Sequence, residues 1–144
     1  MRIDGEWHPC DDGVVRPIVH GQLRRADGVW VPAVFLVDTG ADRTVLTRLL
    51  RDAIGGEPDG PLAPLAGLGG MVECAMLNTQ IRLTTEDGRK IVFRGSFAAA
   101  ADVETLDICV LGRDLLVLFA TIVDYPRQTV CLLSQRHEYA IFTK

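Results

Sequence analysis

The residues best suited to chemistry lie in one short run, residues 35–42, with the sequence FLVDTGAD. Asp38 follows three apolar residues of strand character and directly precedes a glycine turn. A strand end of this kind can hold a carboxylate rigidly at the mouth of a cleft, where it can act as a general acid or base. The plain alternative is an Asp that ends the strand and caps the following helix, because Asp is common at such turns.

The elements that must position Asp38 are predicted to be mainly β, with about eight or nine short strands and two short helices. The pattern indicates a closed barrel or a sandwich. Residues 1–13 read as an irregular leader, 57–64 as a proline-containing loop, and 134–144 as a C-terminal extension. Helices are predicted over 43–54 and 114–119. Strands are predicted over 14–24, 28–38, 71–84, 91–99, 106–111, 122–125 and 129–133.

Length and composition favour one soluble domain over residues 1–144 with a well-packed core, since 48% of the residues are hydrophobic. Fifteen Lys and Arg stand against 19 Asp and Glu, a net charge of −4, so a basic nucleic-acid-binding surface is not expected. No apolar stretch reaches the roughly 18 residues of a membrane helix, and the N-terminus does not resemble a signal peptide. We therefore expect a cytoplasmic protein with no membrane partner.

Neither the cysteines nor the histidines suggest a metal site. Cys10, Cys74, Cys109 and Cys131 are widely spaced and form no C-x-x-C pair, and three of them lie in apolar strand-like contexts. Buried, reduced thiols are expected there. His8, His20 and His137 are also far apart, with no ligand spacing. No metal and no organic cofactor are predicted.

Three motifs in order resemble the retroviral-type (retropepsin-like) aspartic proteases and suggest a bacterial single-domain member. They are FLVDTGAD at 35–42, LAGLGG at 65–70 and ICVLGRDLL at 108–116. The resemblance covers roughly residues 16–133. It implies a mainly β acid-protease fold, equivalent to half of the two-lobed pepsin fold, and the activity of an aspartic endopeptidase on polypeptides.

The resemblance also implies roles for the residues of the first motif. Asp38 would be the catalytic carboxylate, and the Thr39 hydroxyl would bond across to the same loop of a partner. Gly40 would let the backbone approach the water and the substrate, which a Cβ would hinder. Ala41 occupies a position where many pepsin-type relatives carry Ser or Thr.

Two further motif residues are implied to support this turn. Asp42 would hold the substrate backbone or form an ion pair with Arg113, although a solvated Arg at a helix start remains an alternative for Arg113. Gly112 would be needed for close packing beside the catalytic turn.

The second motif resembles the flap, a hairpin whose glycine tip folds over bound peptide. An ordinary surface turn is the alternative, and the proline loop at 61–64 departs from the viral pattern. Leu68 and Met71 suggest apolar subsites. The candidate flap and substrate-binding residues are Ala66, Gly67, Leu68, Gly69, Gly70 and Met71.

The implied chemistry needs two carboxylates, one to take a proton from water and one to polarise the scissile carbonyl. The chain contains one Asp-Thr-Gly; its other Asp-Gly pairs lack the intervening Thr or Ser and the apolar lead-in. We therefore expect a homodimer in which each copy contributes Asp38 at a two-fold axis. The leader and the tail depart from the viral pattern of interleaved termini, so Ile141 and Phe142 are candidate interface residues.

Two other functions remain open at this point. The chain could be a catalytically silent dimerisation or peptide-binding module that keeps the fold. It could also be a regulatory protease that stays monomeric until a partner or a processing event assembles it. The intact Asp38-Thr39-Gly40 turn favours an enzyme.

Overall fold

The protein is represented by a computed structural model that describes residues 1–67, 70–102, 104 and 106–134. These residues form eleven strands and two short helices. The strands are β1 (Arg2–Asp4), β2 (Glu6–Pro9), β3 (Val15–Arg24), β4 (Trp30–Val37), β5 (Val45–Leu46), β6 (Asp59–Gly67), β7 (Gly70–Thr84), β8 (Lys90–Ala100), β9 (Cys109–Leu111), β10 (Phe119–Asp124) and β11 (Thr129–Ser134); the helices are α1 (Arg48–Ile54) and α2 (Arg113–Leu116).

Two sheets organise the strands. The larger has eight strands in the order β2-β3-β4-β9-β5-β8-β7-β6, and an additional pairing of β3 with β7 folds it back on itself. The smaller has three strands in the order β1-β11-β10. The mainly β fold expected from the sequence is confirmed, and the β3–β7 pairing is consistent with a closed arrangement.

The core is made of apolar side chains from strands of both sheets. Along β4, Ala33, Phe35 and Val37 are buried in alternation, as the period of a strand requires. They pack with buried residues such as Leu111 of β9 and Leu132 of β11. The end of β4, directly before Asp38, is therefore anchored in the hydrophobic core.

Strand β4 pairs in parallel with β9, with Phe35 opposite Cys109 and Val37 opposite Leu111. This pairing places the ends of two strands side by side, so that the FLVDTGAD and ICVLGRDLL motifs meet. Their meeting point carries the candidate site described below.

Some element boundaries differ from those predicted. The helix predicted over 43–54 begins only at Arg48, because Val45 and Leu46 form the short strand β5 between β8 and β9. The Thr47 side chain then accepts a hydrogen bond from the Leu50 N–H at 3.2 Å and caps the helix. At the other end, Gly55 adopts φ of 68° as the left-handed C-cap. The second helix is also shorter than predicted and ends at Leu116.

Two segments predicted to be irregular contain strands. Residues 2–4 and 6–9 of the supposed leader form β1 and β2, with Ile3 fully buried in the core. The prediction of a loop over 57–64 is wrong from Asp59 onward, where β6 begins. β6 tolerates its prolines because it lies at the edge of the sheet and its register shifts between Asp59 and Ala63.

The cysteines behave as the sequence predicts. Cys74, Cys109 and Cys131 are buried, Cys10 is half-buried, and all four thiols are free. Burial raises the pKa of Cys109 to about 11, which suppresses its reactive thiolate form. In the part of the chain that the structure describes, neither helix is long and apolar enough to cross a bilayer.

Candidate active site

Asp38 begins a tight turn directly after β4. Its backbone N–H donates to the Leu111 carbonyl at 3.2 Å, which continues the β4–β9 pairing by one residue. Its backbone carbonyl accepts from the Ala41 N–H at 3.2 Å, and its carboxylate Oδ1 accepts from the Gly40 N–H at 2.9 Å. The half-buried carboxylate is thus oriented by backbone groups and still reaches the surface.

A cleft of about 460 Å³ opens in front of this turn. One wall is the turn and the residues that follow it, and the other is strand β6. The residues that line it are Asp38, Gly40, Ala41, Asp42, Arg43, Val45, Leu65 and Ala66.

The expected ion pair between Asp42 and Arg113 is present, although the two residues lie 71 positions apart in the sequence. Both side chains are more than half exposed, so the pair contributes little to stability by itself. Backbone hydrogen bonds reinforce the same contact: the Arg113 N–H donates to the Ala41 carbonyl at 2.8 Å, and the Asp114 N–H to the Asp42 carbonyl at 3.2 Å. The start of α2 is therefore tied to the Asp38–Asp42 turn.

A hydrogen-bond network centred on the buried Thr44 at the same junction was not anticipated from the sequence. The Thr44 hydroxyl donates to the Asp114 carboxylate at 2.6 Å and accepts from the Gly112 N–H at 3.1 Å. The Thr44 N–H donates to both oxygens of that carboxylate at 2.9 Å. The one available signal was an acidic residue in the first turn of the predicted second helix, and nothing in the sequence linked it to a threonine 70 positions earlier.

Gly112 fills a position where no side chain fits. A Cβ built on Gly112 would lie 2.3 Å from the carbonyl carbon of Arg43 and 2.4 Å from its oxygen. This close approach is the physical reason for glycine at the β9–α2 junction.

The flap candidates are only partly described. Gly67 pairs with Gly70 and Ala66 with Met71 in the β6–β7 hairpin, while Leu68 and Gly69 lie outside the described residues. Ala66 lines the cleft. Met71 lines a separate surface depression beside α1, with Arg48 and Asp52, and its place in an apolar subsite stays a prediction.

Other predicted residues are placed as follows. Thr39 is exposed, and its hydroxyl makes no hydrogen bond within the part of the chain that the structure describes. His137, Ile141 and Phe142 lie outside the described residues. Among residues 1–67, 70–102, 104 and 106–134, no three His, Cys, Asp or Glu side chains group so as to hold a metal ion.

Comparison with known proteins identifies the family. The sequence profile of the family described as "Aspartyl protease" matches residues 23–115, well over half of the chain. The chain belongs to this family. The match spans the Asp38–Asp42 turn, the β6–β7 hairpin and the strand β9 that supports the turn.

Solved structures show the same relationship. The EIAV protease, solved in complex with the inhibitor HBY-793, is 28% identical, with a TM-score of 0.50 over 71% of this chain and 86% of its own. A retropepsin-like aspartic protease from Rickettsia conorii is 19% identical, with a TM-score of 0.57 over 92% of this chain and 90% of its own; this second likeness shows the fold alone. No curated protein matches the sequence. The predicted resemblance to retropepsin-like proteases is confirmed.

Proposed function

We propose that this protein is an aspartic endopeptidase that hydrolyses peptide bonds of polypeptides as a homodimer. The observation that carries the proposal is the Asp38 carboxylate, held by the Gly40 N–H at the mouth of a cleft in a chain of the aspartyl protease family. We assign the catalytic role to Asp38 and supporting roles to the residues around it. Residues 1–144 would act as a single domain.

Two copies are required because the reaction needs two carboxylates and the chain has one Asp-Thr-Gly. Two carboxylates about 3 Å apart do not both ionise easily, so the pair shares one proton. The exposed Thr39 hydroxyl is free to bond across the two-fold axis and hold the two turns in register.

The pair would activate a water molecule placed between the two Asp38 side chains. The ionised carboxylate takes a proton from the water as its oxygen attacks the scissile carbonyl carbon, and the protonated carboxyl gives its proton to the carbonyl oxygen. When the tetrahedral intermediate collapses, the C–N bond breaks and the carboxyl that took the proton from water gives it to the leaving nitrogen. The other carboxylate takes a proton from a hydroxyl of the intermediate, so the carboxylic acid product forms and the pair again holds one proton. No metal or organic cofactor takes part in these steps.

The substrate would bind as an extended strand between the catalytic turns and β6, the wall of the cleft opposite Asp38. Main-chain hydrogen bonds would supply affinity, and alternate side chains would enter pockets on either side. The four free cysteines are suited to a reducing compartment, and we propose a cytoplasmic location.

The test is cleavage of an unfolded protein by wild type and by Asp38→Asn, over pH 4 to 7. The near-isosteric variant removes the proton transfer without changing the shape of the turn, so activity is expected to fall at least about a hundredfold. Equal cleavage by both proteins would contradict the proposal. No cleavage by a wild type shown to be dimeric would favour a silent peptide-binding module instead.

A further inference from the structure

We propose that Arg43 makes the cleft selective for peptides that carry an Asp or Glu side chain near the scissile bond. The inference rests on the proposed endopeptidase function and names the class of substrate. Arg43 lines the same cleft as Asp38, five residues after it, and is exposed. Nothing in the catalytic chemistry uses it.

The charges that line the cleft leave Arg43 as a cation without a partner. Besides Asp38, the charged lining residues are Asp42 and Arg43. Asp42 is already neutralised by its ion pair with Arg113. Within the described residues the Arg43 guanidinium forms no ion pair or hydrogen bond, so it can accept a carboxylate from a substrate.

The backbone of Arg43 is held from both sides, which separates it from an ordinary surface arginine. The Asp42 carbonyl before it accepts from the Asp114 N–H, and the Thr44 N–H after it donates to the Asp114 carboxylate. Gly112 packs directly against the Arg43 carbonyl group. The side chain therefore starts from a fixed point in the wall of the cleft, which lowers the entropic cost of fixing a bound group.

A guanidinium and a carboxylate form two parallel charge-assisted hydrogen bonds, a geometry that Lys cannot reproduce. In an extended peptide every second side chain faces the same way, so only every second residue of the substrate could point toward a given Arg43. In the proposed homodimer the two-fold axis places a second Arg43 on the other side of the scissile bond. Acidic residues are thus favoured on either side of the cut.

The experiment compares wild type, Arg43→Gln, Arg43→Lys and Arg43→Glu on a peptide library, followed by peptide pairs that differ only in Glu against Gln at the selected position. We expect wild type to cleave the Glu peptide about fivefold better, by kcat/KM, at low ionic strength. Arg43→Gln should remove this preference, Arg43→Lys should retain part of it, and Arg43→Glu should reverse it. Added salt should weaken the wild-type preference.

Arg94→Gln is the matched control, since Arg94 is an exposed arginine of β8 that does not line the cleft. It should keep the wild-type preference for Glu. Cleavage by wild type without a preference for acidic residues, or the same preference in Arg43→Gln, would overturn the inference and leave the proposed function standing. No cleavage by wild type would overturn both.

Discussion

At the scale of single residues, one buried hydroxyl links the segment after the Asp38–Asp42 turn to the helix that follows β9. Thr44 is fully buried, and its Oγ1 both donates to the Asp114 carboxylate and accepts from the Gly112 N–H. A buried donor or acceptor that loses its partner costs about 1–3 kcal/mol, and more when a charge is involved. The position of Asp38 therefore depends on a residue six places further along the chain.

Replacement of Thr44 by Val keeps the shape and removes the hydroxyl. We expect the free energy of unfolding to fall by about 1–3 kcal/mol, because the buried Gly112 N–H loses its acceptor. The exposed Asp114 carboxylate keeps the N–H donors of Thr44 and Leu115 and adds little to this loss. The measurement is urea unfolding followed by circular dichroism at a fixed protein concentration. Thr44→Ser keeps the hydroxyl and should lose much less, so equal stability of the two variants would contradict the account.

The candidate site shows where sequence reasoning reaches its limit. The Asp42–Arg113 ion pair was predictable because both residues belong to motifs of a recognisable family. The Thr44–Asp114 bond was not, since Thr and Asp are common residues and 70 positions separate them. Arg43 was missed for a similar reason, because only the folded cleft shows that it lines the same wall as Asp38.

At the scale of elements, the decisive feature is the junction of β9 and α2 packed against residues 43 and 44. This contact holds the segment that follows the Asp38–Asp42 turn against the end of β9, and it is close enough to exclude a Cβ at Gly112. Overpacking a core costs about 1–3 kcal/mol even where side chains can move aside, and here the obstacle is backbone.

Gly112→Ala is therefore expected to lower the free energy of unfolding by about 3 kcal/mol or more and to displace the Asp38–Asp42 turn, to which we assign the catalytic role. Thermal denaturation measures the first effect and peptide cleavage the second. Gly95→Ala is the control, because its Cβ would meet the Phe97 ring at an ordinary 3.7 Å. If Gly112→Ala melted like the control, the close packing proposed for this junction would be wrong.

Element boundaries were predicted well where local pattern and tertiary pairing agree. β3, β4, β7 and β8 lie within about two residues of their predicted limits. The sequence pattern around Val45 and Leu46 fits a helix, yet these residues form a strand that pairs with β8 and β9. Both partner strands are distant in the sequence, so the residues near Val45 could not have predicted this pairing. β1 was missed for the same reason, since its partner β11 lies at the far end of the described chain.

At the scale of the whole molecule, each chain supplies half of the proposed catalytic apparatus. The chain contains one Asp-Thr-Gly turn, which lies at a cleft. The chain is similar to EIAV protease over 86% of that protein's length. Any activity should therefore depend on the fraction of dimers that contain two intact copies of Asp38, and that dependence can be measured.

The most direct test mixes a fixed amount of wild type with increasing Asp38→Asn at concentrations where the protein is dimeric by analytical ultracentrifugation. After the subunits exchange, an equal amount of the variant should reduce peptide cleavage to about half, because about half of the wild-type chains then sit in mixed, inactive dimers. An equal amount of a denatured variant controls for competition by added protein. Cleavage unchanged by the folded variant would contradict a site built from two Asp38 carboxylates.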